Sequence, residues 1–125
     1  MIGSRFFDSS AWLSYLYANN QEIKSMVESN IILLTSAISI FEIKKKLEKE
    51  KTDINKINKS IEFIKNRSLI IDLNFEIAEK AVDLSIKNNL HTVDALIYSS
   101  TLINNSILIT LDKDFINLDD TILIK

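Results

Sequence analysis

Five short apolar runs alternate along the chain with longer segments in which apolar residues recur every three or four positions. The short runs are rich in Ile and Leu and lack strict alternation, as is typical of strands covered on both faces of a sheet. They span residues 5–7, 31–35, 69–72, 107–111 and 121–124. We predict five strands from these runs.

The longer segments carry apolar residues with the period of a helix. They span residues 9–19, 21–29, 36–51, 54–64, 74–88 and 92–103. Strands that alternate with helices predict an α/β domain with a mostly parallel sheet. Because crossovers between parallel strands are right-handed, helices are expected on both faces of that sheet.

Asparagine replaces the usual turn-forming residues, since the sequence has one glycine and no proline. Asparagine tolerates the left-handed conformation that ends helices. We therefore expect helix ends and turns at residues 19–20, 30, 66, 88–89 and 104–105. No linker, internal repeat or low-complexity segment interrupts the pattern, so residues 1–125 are predicted to form a single domain.

The amino-acid composition excludes several kinds of site. Because the chain has no cysteine, a disulfide, a zinc–thiolate site and an iron–sulfur cluster are impossible. The single histidine, His91, disfavours a histidine-rich metal site and a Ser-His-Asp triad, so any metal would need oxygen ligands. No stretch reaches the about 18 consecutive apolar residues of a membrane span, and the first residues lack a signal-peptide pattern. These features predict a cytoplasmic protein without a membrane partner.

The charges are unevenly distributed. The whole chain has 15 basic and 17 acidic residues, a net charge of −2. Residues 44–67 nevertheless hold nine Lys or Arg against four Asp or Glu, a net charge of +5. Two interpretations are open for this segment: the solvated face of two helices, or a contact surface for the phosphates of a nucleic acid.

Four acidic residues stand where a solvated side chain is uncommon. Asp8 and Asp112 each follow a predicted strand directly, and ligands of open parallel sheets bind beyond the carboxyl ends of the strands. Glu42 lies in the most apolar part of its segment, and Asp94 lies in the first turn of a predicted helix. Taken singly, the three aspartates have a simpler explanation, since Asp often ends strands and the helix dipole favours an acid near a helix N-terminus.

Taken together, four carboxylates from four elements predict a cation site at one edge of the sheet. Two unit charges ~4 Å apart repel by ~4 kcal/mol at an effective dielectric of 20, so a divalent cation would relieve the cluster. Oxygen ligands suit Mg²⁺ or Mn²⁺, which usually act on phosphates. Such an ion polarises a phosphoryl oxygen and lowers the pKa of a bound water.

Four segments of the chain resemble the four motifs of PIN domains, in the same order and with similar spacing. These segments are FDSSA at 7–11, IFEI at 40–43, VDALI at 93–97 and TLDKDF at 110–115. In size and layout the chain most resembles the VapC-type toxins of prokaryotic toxin–antitoxin pairs. The resemblance implies a PIN-like three-layer α/β/α domain around a five-stranded, mostly parallel sheet.

The resemblance also implies which residues form the site. The positions that match the family's catalytic and metal-binding acids are Asp8, Glu42, Asp94 and Asp112. The positions that match supporting groups are Ser9, Ser10, Thr110 and Asp114. Asp112 and Asp114 compete for the fourth acidic position. His91 could contact substrate or orient Asp94, or simply cap its helix.

The activity implied by the resemblance is that of a Mg²⁺- or Mn²⁺-dependent endoribonuclease toxin, which leaves 5′-phosphate and 3′-hydroxyl ends. The implied partners are RNA, a cognate antitoxin and a second copy of the chain. An apolar surface on the first helix suggests a partner groove, although Trp12 could equally belong to the core. The alternatives are a binding module with the same fold but weak catalysis, and a DNA-directed or housekeeping RNA-processing nuclease.

Overall fold

Five parallel strands form the sheet that the apolar runs predict. In the computed structural model, which describes residues 3–125, the strand order is β3-β2-β1-β4-β5 and every neighbouring pair is parallel. The strands are β1 Arg5–Phe7, β2 Leu33–Ser36, β3 Leu69–Ile71, β4 Ile107–Thr110 and β5 Thr121–Leu123. The predicted sheet is thereby confirmed, with β2 beginning two residues later than predicted and ending one residue later.

Six α-helices connect these strands, in the order that the sequence pattern predicts. They are α1 Ser9–Leu16, α2 Gln21–Val27, α3 Ala37–Lys49, α4 Ile54–Arg67, α5 Phe75–Asn88 and α6 Thr92–Ile103. A short 3₁₀ helix, Lys113–Phe115, follows β4. Within residues 3–125, no helix combines the length and the apolar character needed to cross a lipid bilayer.

Neighbouring residues in the central strands point to opposite faces of the sheet and build two cores. Phe7 of β1 packs in the cluster that includes Trp12 and Ile43, beneath α1 to α4. Phe6 packs in the other cluster with Tyr98 and Phe115, beneath α5 and α6. Because both faces are covered, the apolar runs are continuous rather than alternating. The three-layer α/β/α arrangement is confirmed.

Trp12 belongs to the core and not to a partner surface. Its ring is fully buried, lies edge-on to Phe7 with 5.0 Å between ring centroids, and its Nε1 donates a hydrogen bond to the Thr35 hydroxyl at 2.9 Å. The interpretation of Trp12 as part of an exposed apolar groove is therefore wrong.

Asparagines do shape several helix ends, although not all of those predicted. Asn89 ends α5 with a φ of 53°, and Asn105 follows α6 with a φ of 50°. Asn20 instead begins a helix, since its side chain accepts a hydrogen bond from the Ile23 N–H. The turn predicted at Asn66 is wrong, because that residue lies within α4, which continues to Arg67.

Arg67 ties the end of α4 to the connection between α2 and β2. Its guanidinium donates hydrogen bonds at 2.7–3.3 Å to four backbone carbonyls, those of Met26, Val27, Ser29 and Ile31. These include carbonyls at the end of α2 that lack a partner within the helix. Arg67 is therefore neither part of a solvated face nor available to bind phosphates, since its guanidinium is hydrogen-bonded to backbone carbonyls.

We expect Arg67→Met to lower the free energy of unfolding by about 2–3 kcal/mol, because it removes charge-assisted hydrogen bonds to carbonyls that are partly shielded from water. Arg67→Lys should recover only part of this loss, since a single ammonium cannot reach four carbonyls at once. Urea denaturation measures both changes, with the exposed Lys65→Met as the matched control. Equal stability of Arg67→Met and Lys65→Met would show that water satisfies these carbonyls.

Candidate active site

The strand order places the candidate site at the carboxyl edge of the sheet, where β1 and β4 lie side by side. The chain moves outward from β1 to β2 and β3 on one side, and then continues through β4 and β5 on the other. Ligands of open α/β sheets bind at such a switch point. Asp8 directly follows β1, and Thr110 ends β4 with Asp112 two residues further on.

Asp8 is a buried carboxylate that also begins α1. It is 3% exposed, and its Oδ1 accepts a hydrogen bond from the Ala11 N–H at 2.9 Å, so that the side chain caps the helix. The same oxygen accepts a hydrogen bond from the Ser10 hydroxyl at 2.6 Å. The other oxygen, Oδ2, accepts one from the Thr110 hydroxyl at 2.5 Å. Three donors therefore fix the position of this carboxylate.

Ser10 and Thr110 connect Asp8 to the loop that follows β4. The Thr110 hydroxyl accepts a hydrogen bond from the Asp112 N–H at 2.9 Å while donating to Asp8. The Ser10 hydroxyl likewise accepts one from the Leu111 N–H at 2.9 Å. Each hydroxyl thus holds the buried acid and the backbone that carries Asp112, as groups behind a ligand typically do.

Three carboxylates meet in front of this network. Carboxylate oxygens of Asp94, Asp112 and Asp114 lie within 4.8 Å of one another. Asp94 projects from the first turn of α6, while Asp112 caps the 3₁₀ helix by accepting a hydrogen bond from the Asp114 N–H at 2.9 Å. That capping bond fixes the local backbone between Asp112 and Asp114.

Glu42 reaches the same region from α3. It is partly buried, and burial, together with the negative charges of Asp94 and Asp112, raises its pKa above the usual value. A hydrogen bond with the Ser9 side chain offsets part of this shift. Ser9 and Ser10 therefore serve different acids, a distinction that the sequence left open.

Burial and mutual repulsion raise the pKa of two of the aspartates. Burial is the largest cause for Asp8, whose pKa rises to about 6 despite its three hydrogen bonds. Burial, followed by the charges of Asp112 and Asp114, raises the pKa of Asp94 to about 6. At neutral pH both groups therefore carry a charge that the fold disfavours.

In the described part of the chain, no ion pair within 4 Å neutralises the acidic cluster, although the charge of His91 lowers the pKa of Asp94 slightly against the larger raising causes. Among residues 3–125, the one ion pair within 4 Å joins Lys46 to Glu50 on the surface of α3. The cluster offers only hard oxygen donors, which suit Mg²⁺ or Mn²⁺ and exclude a thiolate or imidazole site. Its donor set and unbalanced charge therefore fit a divalent cation.

The structure places the predicted acids in one region, but only some of them lie close to one another. Asp94, Asp112 and Asp114 form the close group, so Asp114 joins Asp112 rather than replacing it. Asp8 and Glu42 influence that group through their charges but have no oxygen within it. Their assignment as direct metal ligands stays a prediction. His91 occupies the N-cap position of α6 without a side-chain capping bond.

The family comparison agrees with this geometry. The profile of the PIN domain matches residues 5–121, which is nearly the whole chain. The chain belongs to the PIN domain family. A comparison with curated protein sequences finds no match.

Solved structures with the same fold include several from toxin–antitoxin complexes. A chain of a Klebsiella pneumoniae toxin–antitoxin complex superposes with a TM-score of 0.80 at 22% identity, covering 95% of this PIN domain and 96% of that chain. A chain of VapBC2 from Rickettsia felis, bound to a DNA fragment from its promoter, gives 0.79 at 17% identity and 96% coverage of both chains. VapC20 from Mycobacterium tuberculosis, a sarcin–ricin loop cleaving toxin, gives 0.71 at 16% identity, covering 90% of this chain and 92% of that one.

Without a bound cation, this PIN domain should be more stable at about pH 5 than at about pH 7.5. The raised pKa values of Asp8 and Asp94 mean that the folded state binds more protons than the unfolded state between about pH 4 and 6, so stability falls as the pH rises through that window. Urea denaturation in EDTA measures the difference.

Asp94→Asn should raise the free energy of unfolding by about 1 kcal/mol at about pH 7.5 in EDTA, after allowance for the partial exposure of the side chain. The same substitution should flatten the pH dependence, because it removes one of the responsible groups. Asp83→Asn, on the exposed face of α5, is the matched control. A loss of stability in Asp94→Asn at both pH values would identify this carboxylate as a structural anchor.

Proposed function

We propose that this PIN domain is a divalent-metal-dependent endoribonuclease that acts as the toxin of a toxin–antitoxin pair. The observation that carries the proposal is the group of Asp94, Asp112 and Asp114, which meet at the switch point of the sheet without an ion pair within 4 Å among residues 3–125. The similarity to VapC20 over most of both chains supports RNA as the substrate. An RNA target is consistent with a cytoplasmic location.

In this proposal Asp94, Asp112 and Asp114 hold the cation, with Asp8 and Glu42 as the further predicted ligands. When bound, Mg²⁺ or Mn²⁺ supplies positive charge against a phosphodiester and lowers the pKa of a coordinated water. Ser10 and Thr110 are positioning residues, because they act through Asp8 and the backbone of Asp112. Because Asp8 is buried, water does not compete with its carboxylate for these hydrogen-bond donors.

The proposed reaction hydrolyses an RNA phosphodiester. A water oxygen forms a bond to phosphorus, the bond from phosphorus to the 3′ oxygen breaks, and the released 3′ oxygen takes up a proton. In this proposal Glu42 accepts the proton from water, since it is a carboxylate beside Asp94 and Asp112. The products are a 5′-phosphate and a 3′-hydroxyl.

The second candidate function is a PIN-fold module that binds without efficient catalysis. It accounts for the fold, but it leaves the uncompensated acidic group without a purpose. Carboxylates with raised pKa values lower the free energy of unfolding at neutral pH, and groups that reduce stability in this way are usually found at functional sites. A housekeeping RNA-processing nuclease would use the same site, but the similarity to chains of toxin–antitoxin complexes favours the toxin.

An antitoxin segment is proposed to bind beside α1. Tyr15 stacks on Phe63 of α4 with 5.4 Å between ring centroids, which leaves an aromatic surface at the edge of the α1–α4 layer. Tyr15 and Leu16 also line a groove that continues to α2. Aromatic residues at a partly buried surface are typical of protein interfaces.

A second copy of the chain is proposed to pack on α5. Phe75, Val82 and Ile86 lie on one face of this helix and are 78%, 57% and 79% exposed. An apolar stripe of this kind, beside a groove between α5 and α6, is expected to be covered. In a two-fold dimer the same stripe would serve both copies.

The nuclease proposal is tested with end-labelled RNA. We expect cleavage with Mg²⁺ or Mn²⁺, loss of cleavage in EDTA, and a loss of about a hundredfold or more in Asp8→Asn and Asp94→Asn. Asp83→Asn should retain full activity, because the side chain lies on the exposed face of α5. Cleavage that survives both EDTA and Asp94→Asn would contradict the proposal, and absence of both cleavage and Mn²⁺ binding would favour the binding module.

The dimer proposal is tested by sedimentation equilibrium. We expect Ile86→Glu to raise the dissociation constant of the dimer by at least about tenfold, since a charge would be buried at the stripe without a partner. Lys80→Gln, at an exposed position of the same helix away from the stripe, should leave it unchanged. A native chain that sediments as a monomer at all concentrations would contradict the dimer without affecting the nuclease proposal.

A further inference from the structure

Phe41 is an exposed aromatic residue next to a candidate catalytic acid. It lies on α3 immediately before Glu42, and its side chain is 62% exposed. The hydrophobic periodicity of α3 does not need it, because Ile43 and Leu47 supply the buried contacts of this helix. A large apolar ring that the core does not use is informative when it borders a polar site.

The surface around Phe41 reaches the Glu42 side of the acidic site. A groove of about 420 Å³ runs along α3, and Phe41 and Glu42 both line it. Val93, the neighbour of Asp94 on α6, lines the same groove, as does Ile38. The groove thus places the Phe41 ring beside Glu42, which borders the acidic cluster.

Lysines surround the exposed ring. Three lysines (Lys44, Lys45 and Lys49) and one acid, Glu48, line the surface next to Phe41, so its charge is positive on balance. Lys45 Nζ lies 5.7 Å from the centroid of the Phe41 ring. None of the three forms an ion pair within 4 Å to another residue of the described chain. The exposed area of Phe41 remains after this contact with Lys45, so an aromatic surface and free positive charges occur together.

We propose that Phe41 and Lys45, with Lys49, form a subsite for one nucleotide of single-stranded RNA beside the cleaved phosphodiester. The base stacks on the Phe41 ring, and its phosphate contacts the lysine side chains. Stacking on an aromatic ring combined with a positively charged groove is the general way in which proteins hold single strands. The subsite rests on the proposed nuclease function, since it supplies the neighbouring nucleotide of the same substrate.

The charge of the surface favours RNA over a second copy of this chain. A two-fold contact through α3 would bring the lysines of one copy close to those of the other, which is unfavourable without counter-ions. A single-stranded RNA brings both the phosphates and the flat bases that this surface lacks. A base-paired duplex offers no exposed base face and should not use Phe41.

The test measures RNA binding separately from cleavage. Asp94→Asn serves as the background, because it is expected to stop cleavage and to leave the fold at least as stable. The probe is a 5′-fluorescein-labelled oligouridylate of about twelve nucleotides in Mg²⁺, with an RNA duplex of equal length for comparison. Fluorescence anisotropy gives the affinity at several salt concentrations.

We expect Phe41→Leu to weaken binding of the single strand about tenfold, without changing binding of the duplex or the salt dependence. Phe41→Trp should restore the affinity, because an aromatic face is present again. Lys45→Gln should reduce the slope of log affinity against log salt by about 0.7, as expected for one lost phosphate contact to a single strand. Lys80→Gln, an exposed lysine on α5, is the matched control and should change neither quantity.

Unchanged affinity of Phe41→Leu for the single strand would overturn the proposal. The exposed ring would then have another partner, such as an antitoxin or a second copy of the chain. An equal loss with single strand and duplex would also overturn it, because stacking on a base would not be the cause. Cleavage assays in the native background separate the two proposals. Normal cleavage with no effect of Phe41→Leu on KM would leave the nuclease standing without this subsite, and Phe41-dependent binding without cleavage would leave a binding module.

Discussion

The burial of one carboxylate governs both the fold and the candidate site. Asp8 starts α1 by capping its N-terminus, and it joins β1 to β4 through the hydroxyls of Ser10 and Thr110. Three donors do not fully replace water, so burial still raises its pKa to about 6. A neutral residue such as Ser or Asn would cap the helix without the free-energy cost of a buried charge. The fold therefore holds a charge at the switch point that protonation removes below about pH 6 and that a bound cation would balance at neutral pH.

That arrangement explains how a chain with short strands and few turn-forming residues fixes the positions of its acidic side chains. The acids come from positions fixed by regular structure: a strand end, two helix turns and a 3₁₀ cap. Asp112 and Asp114 are set by a hydrogen bond between neighbouring residues, and Thr110 connects this pair to Asp8. Groups held by rigid elements and by supporting hydrogen bonds keep their geometry better than groups on free loops.

Local pattern was sufficient to predict most of the fold and the region of the site. Each apolar run became a strand, and Asp8 and Asp112 lie at neighbouring strand ends because strand position alone determines the sheet edge. Sequence reasoning failed where a residue meets a distant partner. Arg67 looked like part of a basic surface, but it binds carbonyls about forty residues earlier in the chain, a contact with no local signal. Phe41 was overlooked because an apolar residue in an apolar helix predicts burial, and only the packing of α3 exposes it.

In the proposed nuclease, α3 contributes both negative and positive groups to the substrate surface. Glu42 adds negative charge to the acidic cluster, while Lys45 and Lys49 begin one turn later on the adjoining surface. An RNA substrate needs both signs: negative ligands where the cation and the reacting phosphate meet, and positive groups where the neighbouring phosphates are only held. Contacts to neighbouring nucleotides provide binding that can align the reacting phosphate, which is how distant interactions promote a chemical step. Because Glu42 and the two lysines lie on one helix, its geometry fixes the distance between the acid at the reacting phosphate and the lysines that hold the neighbouring phosphates.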